Sequence, residues 1–311
     1  MVIKEWIFRA RNRFRPAGRG LALALQGGGV LGAFTWGVLD RLFEEDLPLV
    51  ALTGTSAGAV NAVVAAAAWT QGGGPAARDA LDRVWGKVAE IGPFQSAPWP
   101  VTENGQKLQG AALDLMTRMI SPYTMNPFDR DPLRDILAGE VDFAALTVPG
   151  TPRVRLAATR IADGTARIFS NAEIGIDALI ASTALPLLHH AVAIDGEHYW
   201  DGGFVSNPPL LTLLDDPPRD LVIVPLNPAL VAEPPRQAQA IIARVNQIVF
   251  NRPMLDEIAR LPPSIRVHLI APEPALLQDS SPLALDAKIL NRLKAAGRAA
   301  AGRWLAEHWT T

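Results

Sequence analysis

The chain predicts an α/β protein built as a three-layer α/β/α sandwich around a mostly parallel central sheet. Three observations carry this reading. Leu21 to Gln26, Leu47 to Thr53 and Leu221 to Leu226 are short apolar runs with the length and composition of buried strands. The first two run through glycine-bearing turns into helix-like stretches, Ala33 to Glu45 and Ala57 to Trp69. Strands then alternate with helices along most of the chain, the pattern of a sheet covered on both faces.

The remaining elements follow in order. Arg153 to Ile161 and Thr165 to Ser170 read as two strands joined by Ala162-Asp163-Gly164, and Val192 to Asp195 with Glu197 to Trp200 as a second hairpin. Ile174 to Ala184, Pro209 to Leu214 and Ala238 to Phe250 read as helices, and Ile265 to Ile270 as a last strand. A C-terminal helix, Leu283 to Trp309, is expected to pack on the sheet through Leu285, Ile289, Leu293 and Trp304.

With 311 residues, 49% of them apolar, and no composition break or repeat, the chain fits one continuous domain over 20–311 behind a short arm, 1–19. That arm carries Lys4, Arg9, Arg11, Arg13, Arg15 and Arg19 against Glu5, interleaved with Trp6, Phe8 and Phe14. It fits a solvated arm, one docked on the domain or on a second subunit in a homodimer, or one resting peripherally on an anionic membrane surface. Within 91–135, prolines and aromatics surround a helix-like stretch, Leu108 to Ile120, which suggests a cap over a cleft. The net charge of −2 gives no bulk attraction to nucleic acid, and the lack of cysteine fits a reducing, cytoplasmic compartment. Neither a transmembrane run nor a signal-peptide core is expected.

Two glycine clusters carry the chemistry. Gly54-Thr55-Ser56-Ala57-Gly58 stands between a strand and a helix, the context in which Gly-x-Ser-x-Gly forms a nucleophile elbow. Ser56 would then stand at a helix start, where free N–H groups favour developing negative charge. Gln26-Gly27-Gly28-Gly29-Val30-Leu31-Gly32 opens the preceding helix, and such a loop can turn several amides toward one anion. It also fits Gly-x-Gly-x-x-Gly through Gly27, Gly29 and Gly32. A dinucleotide site needs an acidic residue at the end of the next strand, which ends instead in Thr53-Gly54-Thr55-Ser56. Far along the chain, Asp201-Gly202-Gly203 closes the second hairpin; by itself this is an ordinary turn sequence.

Together these motifs resemble the patatin-like phospholipase family: Gly-Gly-Gly-x-x-Gly after the first strand, Gly-Thr-Ser-Ala-Gly after the second, and Asp-Gly-Gly about 145 residues later. The resemblance extends from about Leu21 to Asn227. It implies a patatin-like fold and a lipid acyl hydrolase of phospholipase A type with a Ser-Asp dyad. Ser56 would attack an ester carbonyl, Asp201 would take its proton, and the Gly27 to Gly32 loop would hold the oxyanion. Gly28 and Gly29 lead as donors, with Gly27, Gly32 and the Ala57 amide as further candidates. Gly54, Gly58, Gly202 and Gly203 would shape the two turns. The partner implied is a lipid or acyl ester, with no cofactor or metal. One position departs from the family: the residue before the last cradle glycine is commonly basic there and is Leu31 here, which leaves neutral esters, lysolipids and acyl thioesters more open.

Other arrangements fit less well. A Ser-His-Asp triad in the α/β-hydrolase order would need His268 or His308, and both have simpler structural explanations. His189 and His190 can line an acyl pocket or serve packing. Without cysteine or His-Glu-x-x-His, a zinc site has little support. Two further alternatives are a carboxylesterase or thioesterase on soluble esters and a lipid-binding protein without turnover.

Overall fold

The computed structural model describes residues 20–91, 120–231, 233–274, 276 and 287–309. The arm over 1–19, most of the expected cap with its helix, and Leu285 lie outside the described residues.

The strands are β1 (Leu21–Leu25), β2 (Leu49–Gly54), β3 (Arg153–Arg160), β4 (Ala166–Ser170), β5 (Val192–Ile194), β6 (Glu197–Asp201), β7 (Asp220–Val224) and β8 (Arg266–Leu269). They form one sheet in the order β5-β6-β3-β2-β1-β7-β8, with β4 also paired to β3. The pairs β3-β2, β2-β1, β1-β7 and β7-β8 are parallel. The pairs β3-β4, β3-β6 and β5-β6 are antiparallel. The sheet is therefore mixed. Both predicted hairpins joined it at one end, and their short turns permit only antiparallel pairing.

The described helices are α1 (Gly32–Leu42), α2 (Ala57–Trp69), α3 (Gly73–Ile91), α4 (Pro122–Met125), α5 (Pro132–Glu140), α6 (Ile176–Thr183), α7 (Ala238–Ile258) and α8 (Ala287–His308). The alternation of β1 shows how the layers form. Leu21, Leu23 and Leu25 point into the larger core with α1, α2, α3, α6 and α8. Ala22 and Ala24 point the other way, toward Leu210, Leu213, Ile223 and Met254. Period-two side chains thus give the strand two apolar faces, and the sheet is buried between helical layers.

The sequence reading named no helix at α3 or α5, and three further elements differ from it. α7 continues past Phe250, through Pro253, because Met254 and Glu257 are buried beyond the proline and anchor the last turns. The helix expected over 209–214 is a 3-10 turn, Leu211–Leu213. The C-terminal helix packs chiefly on α1, and it also meets the sheet at β8, where the Trp304 and His308 rings lie 5.3 and 5.2 Å from that of His268. A Cβ on Gly37 would fall 2.0 Å from the Lys294 carbonyl oxygen, and one on Gly297 would fall 2.0 Å from that of Phe34. The small residues let two backbones touch, and Asp40 on α1 bonds Arg298 on α8.

Candidate active site

β2 ends in Gly54, and α2 begins at Ala57 with Ser56 as its N-cap. Ser56 has φ 57° and ψ −128°, a left-handed conformation that costs a non-glycine residue on the order of 1–3 kcal/mol. The surroundings hold it there. Its N–H donates to the Ser182 hydroxyl of α6 at 3.1 Å, and Thr55 Oγ1 donates to the Ser206 carbonyl at 2.8 Å. Gly58 permits the turn by close approach: a Cβ there would lie 2.0 Å from the Leu25 carbonyl oxygen. A Cβ on Gly54 would lie 2.4 Å from the Gly58 carbonyl oxygen.

The glycine cradle lies beside this elbow. Gly29 has φ 57°, a conformation suited to glycine, and is exposed at the mouth of the loop. Among the described residues, the N–H groups of Gly28, Gly29 and Ala57 have no acceptor. Two of the expected donors are different. The Gly27 N–H donates to Asn207 Oδ1 at 2.8 Å, and the Gly32 N–H bonds back to the Gly29 and Val30 carbonyls. Both of these amides already have acceptors within the protein. The two glycines serve proximity: added Cβ atoms would fall 2.8 Å from the Ser56 Cβ and 2.6 Å from the Ala57 Cβ, respectively.

Buried amides brace the cradle. Gln26 Oε1 accepts from the N–H of Leu226 at 2.7 Å and of Asn227 at 3.0 Å, while its Nε2 donates to Asn251 of α7 at 2.9 Å. Asn61, on α2, donates to the Gly32 carbonyl at 3.0 Å and accepts from the Trp85 indole at 2.9 Å. Gln26 and Asn61 are fully buried, where a missing hydrogen bond is costly, so both fix geometry. The sequence reading assigned no role to Ser182, Asn207, Asn251 or Asn61. The signal that could have flagged Asn61 was its place as the lone polar side chain in an Ala/Val helix.

Asp201 ends β6 and is wholly buried. Its N–H donates to the Ala184 carbonyl at 2.8 Å, its carbonyl accepts from Thr159 Oγ1 at 2.7 Å, and its Oδ1 accepts from the Gly203 N–H at 2.7 Å. Gly202 starts the following turn. Burial raises the Asp201 pKa to about 6, and the nearby Ser56 hydroxyl and the Gly203 amide pull it partway back. The hydroxyl is close enough to act on the carboxylate but closes no well-formed hydrogen bond, so Oδ2 has no partner among the described residues. A largely buried serine, a buried carboxylate and free amides thus converge from three parts of the chain.

The family model for patatin-like phospholipase matches residues 23–214. The chain belongs to that family. A comparison with curated proteins finds no match. Among solved structures, VipD from Legionella pneumophila aligns at 14% identity and TM-score 0.49, covering 94% of this chain and 68% of VipD. The type III effector protein ExoU aligns at 17% identity and TM-score 0.41, covering 94% of this chain and 54% of ExoU.

Patatin-like membership supports lipid acyl hydrolase activity, and the other singled-out residues take structural places around the site. Leu31 is buried in the core, and a Cβ on Gly28 would meet Leu31 at 3.4 Å and Leu226 at 3.0 Å, so the cradle floor is apolar. His190 stacks on Tyr123 at 4.0 Å, and Tyr123 Oη accepts from the Ala191 N–H at 3.1 Å. These contacts dock α4 on the segment after α6. His189 Nδ1 is buried without a partner among the described residues, and burial holds its pKa down. His268 lies on β8, separated from β2 by β1 and β7, with Nε2 3.0 Å from Asp220. That position leaves no triad with Ser56. Among the described residues, no helix is long and apolar enough to cross a membrane.

Proposed function

We propose that the chain hydrolyses phospholipid or related acyl esters through Ser56 and Asp201. The observation that carries this reading is the strained Ser56 at the start of α2, beside a buried carboxylate with one unpartnered oxygen. Asp201, with its pKa near 6, is ionised at neutral pH yet far more basic than an ordinary aspartate.

The chemistry runs in two balanced halves. Ser56 Oγ bonds to the ester carbonyl carbon while its proton passes to Asp201 Oδ2. The carbonyl electron pair moves onto oxygen, and the amides of Gly28, Gly29 and Ala57 receive that charge. Collapse breaks the bond to the alcohol, which leaves with the proton from Asp201. Water then attacks the acyl-serine by the same route, releasing the fatty acid and returning the proton to Ser56. A single oxyanion donor in such a site is worth about 3–4 kcal/mol of barrier.

The apolar cradle floor at Leu31 and Leu226 favours a second reading on substrate: neutral acyl esters or thioesters, with a weaker demand for an anionic headgroup. The test is fluorophosphonate labelling read by intact mass, with turnover of a phospholipid, lysolipid, neutral ester and thioester panel. Labelling should vanish in Ser56→Ala, fall strongly in Asp201→Asn and persist in His268→Ala. An unlabelled wild type would leave the lipid-binding reading, and the panel separates the two substrate classes.

A further inference from the structure

α7 is the least covered helix beside the site. None of its described residues from 238 to 250 is buried, although the segment is rich in aliphatic side chains. Ile241, Val245, Ile248 and Val249 are 44%, 52%, 51% and 38% exposed, and their spacing puts them on one stripe. The Arg244 guanidinium bonds the Pro228 and Ala229 carbonyls, which holds the exposed Leu230 beside the helix. At the other end of the stripe, Phe250 packs on the partly exposed Phe204 at 4.9 Å, and its ring lies against Gly203, next to Asp201. A continuous apolar face of this size on a soluble domain marks an interaction surface.

The helix is also rigidly joined to the site. Asn251 bonds Gln26 at the cradle entry, and Glu257 accepts from the Ser206 hydroxyl at 2.7 Å and from the Leu211 N–H at 2.9 Å. Anything that seats the outer half of α7 therefore sets the position of the elbow and cradle. Charge chooses the occupant. From Ala238 to Leu255 the helix has Arg244 and Arg252 and no carboxylate; the first acid, Asp256, pairs with Arg252. Arg236 precedes the helix in an exposed irregular segment and has no partner among the described residues.

We infer that the Ile241–Val249 face of α7 seats the protein on an anionic lipid surface, with the aliphatic stripe among the acyl chains and the exposed Arg236 at the headgroups. An amphipathic helix with an apolar face and basic flanks binds in this way, and its strength scales with buried apolar area and anionic lipid. The inference rests on the lipid acyl hydrolase reading for its purpose but not for its test.

The test uses full-length Ser56→Ala protein, so that no lipid is consumed, and vesicles of phosphatidylcholine with or without phosphatidylglycerol. Flotation should show binding that rises with the anionic fraction, and Ile241→Glu with Val245→Glu and Ile248→Glu should lower it at least tenfold. The same triple change in the active chain should leave hydrolysis of a short soluble ester within twofold. The natural chain has no cysteine, so Val245→Cys carries a single environment-sensitive dye. A blue shift on adding anionic vesicles supports the seat. Unchanged flotation of the triple variant overturns it. So does a dye already shifted without vesicles: dependence on protein concentration would assign the face to a second copy, and independence would assign it to another segment of this chain. Vesicle binding without fluorophosphonate labelling would keep this surface and remove the hydrolase reading.

Discussion

In the proposed dyad, catalysis and stability pull in opposite directions at Asp201. An aspartate ordinarily titrates near 3.8, and this one is raised to about 6 by burial. The folded state holds the proton more tightly than the unfolded state. Stability is thus fully present below about pH 4 and is lost as pH rises through about 6, at a cost of roughly 3 kcal/mol for a shift of this size. Asp201→Asn should be more stable than wild type by on the order of 2–3 kcal/mol at pH 7.5, and keep only about 1 kcal/mol of that advantage at pH 4.5. Urea unfolding at the two pH values checks this. Turnover should behave oppositely: kcat/KM of wild type on a neutral ester rises through about pH 6 and then levels, and Asp201→Asn loses about 100- to 10,000-fold. Ser182 acts on the other partner. Ser182→Ala leaves the Ser56 N–H without its acceptor, so stability should fall by about 1–3 kcal/mol, with kcat falling more than KM rises. An unchanged kcat would make Ser182 a packing residue only. The glycine loop and the Ser56 and Asp201 turns were legible in the sequence as turns, because each needs small residues at fixed spacing. Ser182 was not, since a hydroxyl reaching across 126 residues leaves no local pattern.

Between elements, what matters is how near two backbones can come. Gly58 of α2 and Gly86 of α3 are both helical glycines, but only one is needed. A methyl on Gly58 would lie 2.0 Å from the Leu25 carbonyl oxygen, a contact with rigid backbone, whereas one on Gly86 meets nothing within 4 Å. Gly86→Ala should stabilise the protein by about 0.5–1 kcal/mol through helix propensity alone. Gly58→Ala should destabilise it by more than about 3 kcal/mol or prevent soluble expression, because β1 and α2 must part. Thermal unfolding of both variants tests the contrast. The sequence pattern of the elements was readable where one period dominated: β1, β2 and α2 needed only their apolar runs and flanking glycines. It failed for the outer turns of α7, where Pro253 argues for a stop and the buried Met254 and Glu257 prevail. It found the contact of α8 with the sheet, through Trp304, but missed the one with α1, because Gly37 and Gly297 reveal their use only when the two helices are brought together.

On the scale of the molecule, the region matched by the family model ends at residue 214, but the structure does not divide there. β7, at 220–224, lies between β1 and β8 and pairs with every residue of β1. Cutting after Leu214 would turn the fully buried β1 into an open edge with unpaired backbone groups. It would also strip Leu221, Ile223 and Met254 from the alanine face of β1, remove the Leu226 and Asn227 amides and Asn251 that hold Gln26, and take α8 off α1. A fragment over 20–214 should therefore show no cooperative unfolding and should aggregate, while the chain over 20–309 should unfold in one cooperative step. The two are compared by circular dichroism and size exclusion after refolding. A soluble 20–214 fragment that still labels with fluorophosphonate would mean that the cradle holds its shape without β7 and α7. The bracing of Gly27 by Asn207, which lies inside the fragment, would then suffice, and the links through Gln26 would be dispensable for the site.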